Sequence, residues 1–271
     1  MSEKHGFSFG LIGPPKAGKT HACLSAAGLP GYKYAFVAPV GEVVAYQGSG
    51  IDAEPYYDEG WRPSEKRFVA TGYAKMMAKL KELESRADLG VVIFDTVNRG
   101  PSELIWHHVL SGYGTDDPRE LGGNSRQPYV TYASRLTELL ERIDLLRYKT
   151  GCHVVMTFHE DVREAEGVGI PRKELEGGKT TLHWDVARLP MLKGGMRQDI
   201  AGWFDAALYC EPVLQSNPYR CKFVAFPDAQ RAAGTRLPIV PELQKLKEIP
   251  NSIPELVKMA EAVYARRAAA K

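Results

Sequence analysis

Residues 13–20 read Gly13-Pro14-Pro15-Lys16-Ala17-Gly18-Lys19-Thr20, which satisfies the spacing G-x-x-x-x-G-K-[ST] at every position. The chemistry this spacing serves is the holding of a phosphate chain. Gly13 and Gly18 let the backbone turn tightly and come close to the phosphates. The loop from Gly13 through Pro14, Pro15, Lys16, Ala17 and Gly18 to Thr20 and His21 would wrap the chain and point N–H groups at it. Lys19 would place a cation near the β- and γ-phosphates, and Thr20 a hydroxyl on Mg²⁺.

A second acidic element stands at Val91-Val92-Ile93-Phe94-Asp95-Thr96. Four apolar residues in a row suggest a parallel strand covered on both faces. An Asp at the carboxyl end of such a strand faces the crevice where open α/β sheets bind ligands. Asp95 is therefore read as a Mg²⁺ carboxylate, acting directly or through water; the alternative is a helix-capping Asp.

These residues need elements to position them. Phe7–Ile12 reads as a buried strand entering the loop, and Lys19–Ala27 as a helix leaving it, stopped by Gly28 and Pro30. Tyr34–Ala38 reads as the next strand, 47–63 as loop, and Arg67–Ala70 as a third short strand. Tyr73, Met76, Met77, Leu80 and Leu83 recur at helical spacing. Residues 111–128 read as a long polar loop. They are followed by a helix over about 129–148 with Val130, Ala133, Leu136, Leu140 and Ile143 inward. Cys152–Phe158 reads as a buried strand ending in His159-Glu160, and 160–198 as a second, Gly-rich loop. Strands at 205–210 and 221–226 and a helix from Ser252 complete the chain.

Composition sets limits. A chain of 271 residues buries a full α/β core. A net charge of +2 gives no global basic field, so any nucleic-acid site must be local. Cys23, Cys152, Cys210 and Cys221 show no C-x-x-C spacing and read as small core residues of a reducing compartment. No signal peptide is evident and no apolar run approaches the ~20 residues of a membrane helix, so a cytoplasmic protein without a membrane partner is expected.

The order of these elements resembles the RecA-like ATPase core. More narrowly, it looks like the phage-encoded RecA-like nucleotide-binding proteins, including single-strand-annealing recombinases. The resemblance covers roughly 7–240 and rests on Gly13–Thr20, Val91–Thr96 and Met156-Thr157-Phe158-His159-Glu160. It implies a RecA-like P-loop fold: a mostly parallel sheet flanked by helices, with antiparallel C-terminal strands and a terminal helix. The corresponding division is an ATPase domain over 1–245 and a helical tail over 246–271.

It also implies ATP and Mg²⁺ as cofactors and DNA-stimulated hydrolysis in recombination or annealing, in host cytoplasm if the gene is a phage's. Thr96 follows Asp95 where other ATPase classes carry Glu, so the resemblance moves the water-activating acid beyond Tyr34–Ala38, where Glu42 is nearest. The alternative for Glu42 is a solvated loop carboxylate. His159 matches a polar γ-phosphate sensor, or is an interior histidine. Thr157 takes a lesser polar role beside it.

Arg231 and Arg236 match cations that reach a neighbour's nucleotide in a ring or filament of identical subunits, or are surface charges. Arg188, Lys193 and Arg197 form the cationic stretch of the second loop. They would neutralise phosphates of single-stranded DNA, with a single-strand-binding protein as a further partner; no stacking platform is evident, Trp184, Tyr113 and Tyr129 being the candidates for one, and the alternative is a flexible polymer-contact or disordered loop. Two other functions fit the same loop: a small-molecule or nucleotide kinase, and a non-catalytic nucleotide switch in phage DNA metabolism.

Overall fold

The structure, a computed structural model, describes residues 6–65, 67–164, 172–176, 179–183, 186–193, 196–213, 220–224, 234–235 and 249–269. The first half of the chain forms β1 (Ser8–Gly13), α1 (Lys19–Ser25), β2 (Tyr32–Val37), β3 (Asp52–Pro55), β4 (Trp61–Arg62), β5 (Arg67–Phe68), α2 (Gly72–Leu83), β6 (Leu89–Asp95) and α3 (Pro101–Tyr113). The second half forms α4 (Gln127–Thr150), β7 (His153–Glu164), β8 (Arg172–Glu176), β9 (Lys179–His183), β10 (Val186–Pro190), α5 (Met196–Asp199), β11 (Ala206–Val213), β12 (Arg220–Val224), β13 (Gly234–Thr235), β14 (Ile249–Pro250) and α6 (Ile253–Ala269).

The sheet runs β14-β12-β11-β1-β7-β6-β2-β3. From β11 to β3 every pairing is parallel. β12, β13 and β14 add antiparallel strands beyond β11, and β10 pairs antiparallel with β7. All six residues of β1 are buried. The cause is cover on both faces. On one, Met76, Leu80, Leu104, Ile105, Leu136 and Ile143 of α2, α3 and α4 pack on Phe36, Phe94 and Met156. On the other, Ala22 and Cys23 of α1 join Leu256 and Ala260 of α6 over Leu11, Ala35, Ile93 and Val155. Continuous apolar strands are what such a two-sided burial demands. The expected α/β sheet, antiparallel late strands and terminal helix are all present, and α6 shares its core with α1.

Register brings the chemical residues to one edge. Gly13 lies opposite His159, and Val37 opposite Asp95. β1, β2 and β6 therefore end, and β7 passes, where the phosphate loop begins.

Several local expectations are corrected. The third strand of the parallel sheet on the β2 side is β3, inside the supposed 47–63 loop; Arg67–Phe68 instead pairs with Trp61–Arg62 in a separate two-stranded ribbon. β3 alternates exposed and half-buried residues, the pattern of an edge strand, and carries little apolar signal. α3 is an additional helix, with Pro101 at its first position and Gly114 ending it at φ 67°. It claims the start of the supposed 111–128 loop, and a 3-10 segment, Pro118–Asn124, claims more. On α4, Val130 is 63% exposed while Tyr132 is buried, because the inward stripe runs through Pro128, Tyr132, Leu136, Leu139, Ile143 and Leu146, a helical phase that turns Val130 outward. The 160–198 region carries the end of β7, the β8–β9 pair and β10 rather than loop alone. Among the described residues no helix is long and apolar enough to cross a membrane.

Candidate nucleotide-binding site

Between β1 and α1 the loop bends on two residues of positive φ, Lys16 at 63° and Gly18 at 82°. Gly18 is the position where a side chain would be strained. Gly13 is required for a different reason. A Cβ there would stand 2.7 Å from the carbonyl oxygen of Cys210 on β11. The turn is closed by Ala17 N–H donating to the Pro14 carbonyl at 3.2 Å, and the helix starts with Ala22 N–H on Gly18 at 3.0 Å. Pro15, Lys16 and His21 are exposed, Pro14 and Thr20 half-buried, and Ala17 buried.

Lys19 is 5% exposed and donates to the carbonyls of Gly13 at 2.8 Å and Pro14 at 2.6 Å. Burial holds its pKa below the ordinary lysine value, opposed by the neighbouring Cys210, Asp95, Glu160 and Cys23. Its cation thus already lies folded along the loop that would carry the phosphates.

Asp95 is 2% exposed. Its Oδ1 accepts from Thr157 Oγ1 at 2.7 Å and its Oδ2 from Tyr46 OH at 2.9 Å. Both donors are neutral. Among the described residues no cation lies within ion-pair distance of Asp95, although Lys19 is near enough to feel its charge. Tyr46 was invisible in the sequence because it sits in a Gly- and Val-rich connection 49 residues from Asp95. Thr157 was noted only as a lesser polar residue; period-2 alternation along β7 was the signal available.

His159 is fixed by Asn98. Its backbone N–H donates to Asn98 Oδ1 at 3.0 Å, and its Nδ1 lies 3.4 Å from Asn98 Nδ2. An amide nitrogen can only donate, which makes Nδ1 the acceptor and leaves the proton on Nε2. Burial lowers the imidazole pKa, Lys19 and Arg99 lower it further, and Asp95 opposes them. Glu160 follows, held at Oε2 by Tyr209 OH at 2.6 Å and close enough to Lys19 to act on its charge. Asn98, Arg99, Glu160 and Tyr209 had gone unassigned. Asn98 and Arg99 fall in the turn after Asp95, where no periodicity marks them.

Other expected residues lie elsewhere. Glu42 is exposed, on a 3-10 segment (Val40–Tyr46) just beyond β2, and its carboxylate has no partner among the described residues. Lys193 is half-buried, its Nζ 4.8 Å above the Trp106 ring, and Trp106 packs against Tyr129 at 4.9 Å between centroids. Arg188 occupies a β10 position opposite Val162, and Arg197 a position in α5. Arg231, Arg236 and Trp184 lie outside the described residues.

The residues fit a divalent cation of the Mg²⁺ kind. A small hard ion takes one or two protein oxygens and completes its shell with phosphates and water. Asp95 supplies a carboxylate and Thr20 a hydroxyl. The adjacent Thr96 Oγ1 is a buried oxygen with no protein partner, as expected where a hydrated ligand belongs. Among the described residues no group of three or more His, Cys, Asp or Glu forms a protein-only metal cage.

Phosphate loop, buried lysine and strand-end aspartate on the carboxyl edge of a parallel sheet define a P-loop α/β fold. No family model and no curated protein matches the chain. Among solved structures, a prototypical ATPase from the type III secretion system of pathogenic bacteria aligns at 12% identity and TM-score 0.41, over 76% of this chain and 52% of that one. The assembled ATPase EscN from the enteropathogenic E. coli type III secretion system aligns at 11% and 0.42, over 75% and 42%. The chain spans about half the length of these proteins or less. At that similarity, its function must be argued from its own residues.

Proposed function

We propose that the protein binds and hydrolyses ATP with Mg²⁺ as a RecA-like ATPase, and that single-stranded DNA stimulates it. The observation that carries this is the convergence of Lys19 and Asp95 at one crevice, each buried and each held in place by neutral partners. Lys19 and the loop amides bind the phosphate chain. Thr20 and Asp95 would hold Mg²⁺, which, when bound, neutralises charge on the phosphates. His159 Nε2–H donates toward the terminal phosphate. Water activation falls to Glu42 if its segment closes over the nucleotide, and otherwise to Glu160.

The DNA reading rests on Lys193 beside Trp106 and Tyr129, with Arg188 and Arg197 nearby in sequence, as a cationic and aromatic surface. Self-assembly into a ring or filament, with Arg231 and Arg236 serving a neighbour's site, belongs to the same reading. The exposure of Glu42 favours one alternative, a nucleotide switch that binds without turnover.

ATP hydrolysis measured with and without single-stranded DNA separates these readings. Stimulation supports the ATPase; tight binding without turnover supports the switch. Lys19→Ala should abolish nucleotide binding while the protein stays folded by circular dichroism. Normal hydrolysis by that variant would overturn the site.

A further inference from the structure

The segment between β2 and β3 is fastened to Asp95 at both ends. At its start, Ala38 N–H donates to the Asp95 carbonyl at 2.8 Å, and Thr96 N–H returns a bond to the Ala38 carbonyl at 3.0 Å. At its end, Tyr46, 2% exposed, donates its hydroxyl to Asp95 Oδ2 at 2.9 Å. The intervening 3-10 turns are held far less. Val40 is 47% and Val44 66% exposed, and Glu42 is exposed between them. A buried phenol on a strand-end carboxylate is an expensive contact to build unless it sets something, because both polar groups leave water. Filling the space would have needed only a Phe.

We propose that Tyr46 is a positioning residue that couples the Asp95 carboxylate to the placement of residues 39–47. The hydroxyl fixes the carboxylate plane from one side while Thr157 fixes it from the other. Each Asp95 oxygen keeps a lone pair for a further ligand. A cation or its water arriving at Asp95 therefore meets an oriented carboxylate, and any rotation of that carboxylate pulls on Tyr46 and on the segment carrying Glu42. This inference rests on the ATP and Mg²⁺ reading for its ligand, but the clasp itself is a property of the free protein.

The test is Tyr46→Phe, which keeps the ring and removes the hydroxyl. Three measurements are made on the full chain: affinity for a fluorescent ATP analogue without Mg²⁺, the Mg²⁺ concentration giving half of the Mg²⁺-dependent gain in affinity, and amide hydrogen exchange over 39–47. Loss of an outer-shell partner costs roughly 10- to 100-fold in metal affinity. The variant should bind the analogue without Mg²⁺ within about twofold of wild type, need roughly tenfold more Mg²⁺, and exchange faster over 39–47 even with no ligand. An equal loss with and without Mg²⁺ would mean a purely structural tyrosine and overturn the proposal, as would unchanged Mg²⁺ demand with unchanged exchange. If wild-type protein binds no nucleotide, the ATP reading fails, and the ligand-free exchange decides the clasp by itself. Thr157→Val, on the other carboxylate oxygen, should raise the Mg²⁺ demand without loosening 39–47.

Discussion

The two ends of the central strands each hold a carboxylate in place, by opposite means. At the carboxyl end, Asp95 meets two neutral hydroxyls and no cation. At the amino end, Asp205 meets a guanidinium. Arg147 Nη1 bonds Asp205 Oδ2, and Ser8 adds its backbone N–H at 2.8 Å and its hydroxyl at 3.1 Å. Arg147 is further held by Asp144 at 3.2 Å and lines a cavity of about 550 Å³ with Phe7, Tyr148 and Tyr264. The amino end is neutralised and finished. At the carboxyl end the carboxylate meets only neutral hydroxyls and the lysine donates to carbonyls, an arrangement that suits the nucleotide and Mg²⁺ of the proposed function. β7 repeats the contrast. His153 at its start accepts from Phe7 N–H at 3.1 Å and stacks on that ring, whereas His159, level with Gly13 of the phosphate loop, accepts at Nδ1 from Asn98 and is left with its Nε2 proton.

The contrast breaks most visibly at the two aspartates. Asp95→Asn should lower Mg²⁺-dependent hydrolysis by roughly a hundredfold or more, since only a charged oxygen offsets the cation's lost water. Its thermal midpoint should fall only modestly, because one hydroxyl keeps an oxygen acceptor and the other can turn to accept from the amide nitrogen. A variant of normal activity and low stability would reverse the assignment of the two ends.

Asp205→Asn is the complementary experiment. Breaking a buried ion pair costs about 3–5 kcal/mol. Here the side chains are 22% and 19% exposed, so about 2 kcal/mol is expected in urea unfolding, with nucleotide affinity unchanged.

His153 gives the smallest effect, and it depends on pH. Burial lowers its pKa to about 4, below the value of ~6.5 in an unfolded chain. The unfolded state then binds more protons than the folded one between these values. The His153 contribution is therefore complete above about pH 6.5 and is lost as pH falls toward 4, by about 2 kcal/mol between pH 7 and pH 5. Urea titrations at the two pH values should show that loss in wild type and a smaller one in His153→Asn. An equal loss in both would place the titrating group elsewhere.

The placement of the phosphate loop and of Asp95 at the carboxyl end was legible from sequence because its signals are local. Eight consecutive residues specify the phosphate loop, and four apolar residues ending in Asp95 specify a covered strand with its acid in the crevice. Tyr46, Asn98 and Glu160 were not legible, since their roles arise from contacts across 49 to 61 residues that no local pattern encodes. β3 escaped because an edge strand buries too little to look apolar. α3 escaped because Leu104, Ile105, Val109 and Leu110 follow a Gly-Pro start that reads as a loop.

The last structured segment reaches back to the first. Asn251 Nδ2 donates to the Gly18 carbonyl at 3.1 Å, Ile253 N–H donates to Ser25 Oγ at 2.9 Å, and α6 packs on α1. During synthesis, the wall that supports the phosphate loop emerges more than two hundred residues after the loop itself. Nascent chains halted before residue 249 should therefore lack a competent loop even with all eight of its residues outside the ribosome. The eight residues of the loop are contiguous, but the wall that holds them is completed only once residues 249–253 have been made.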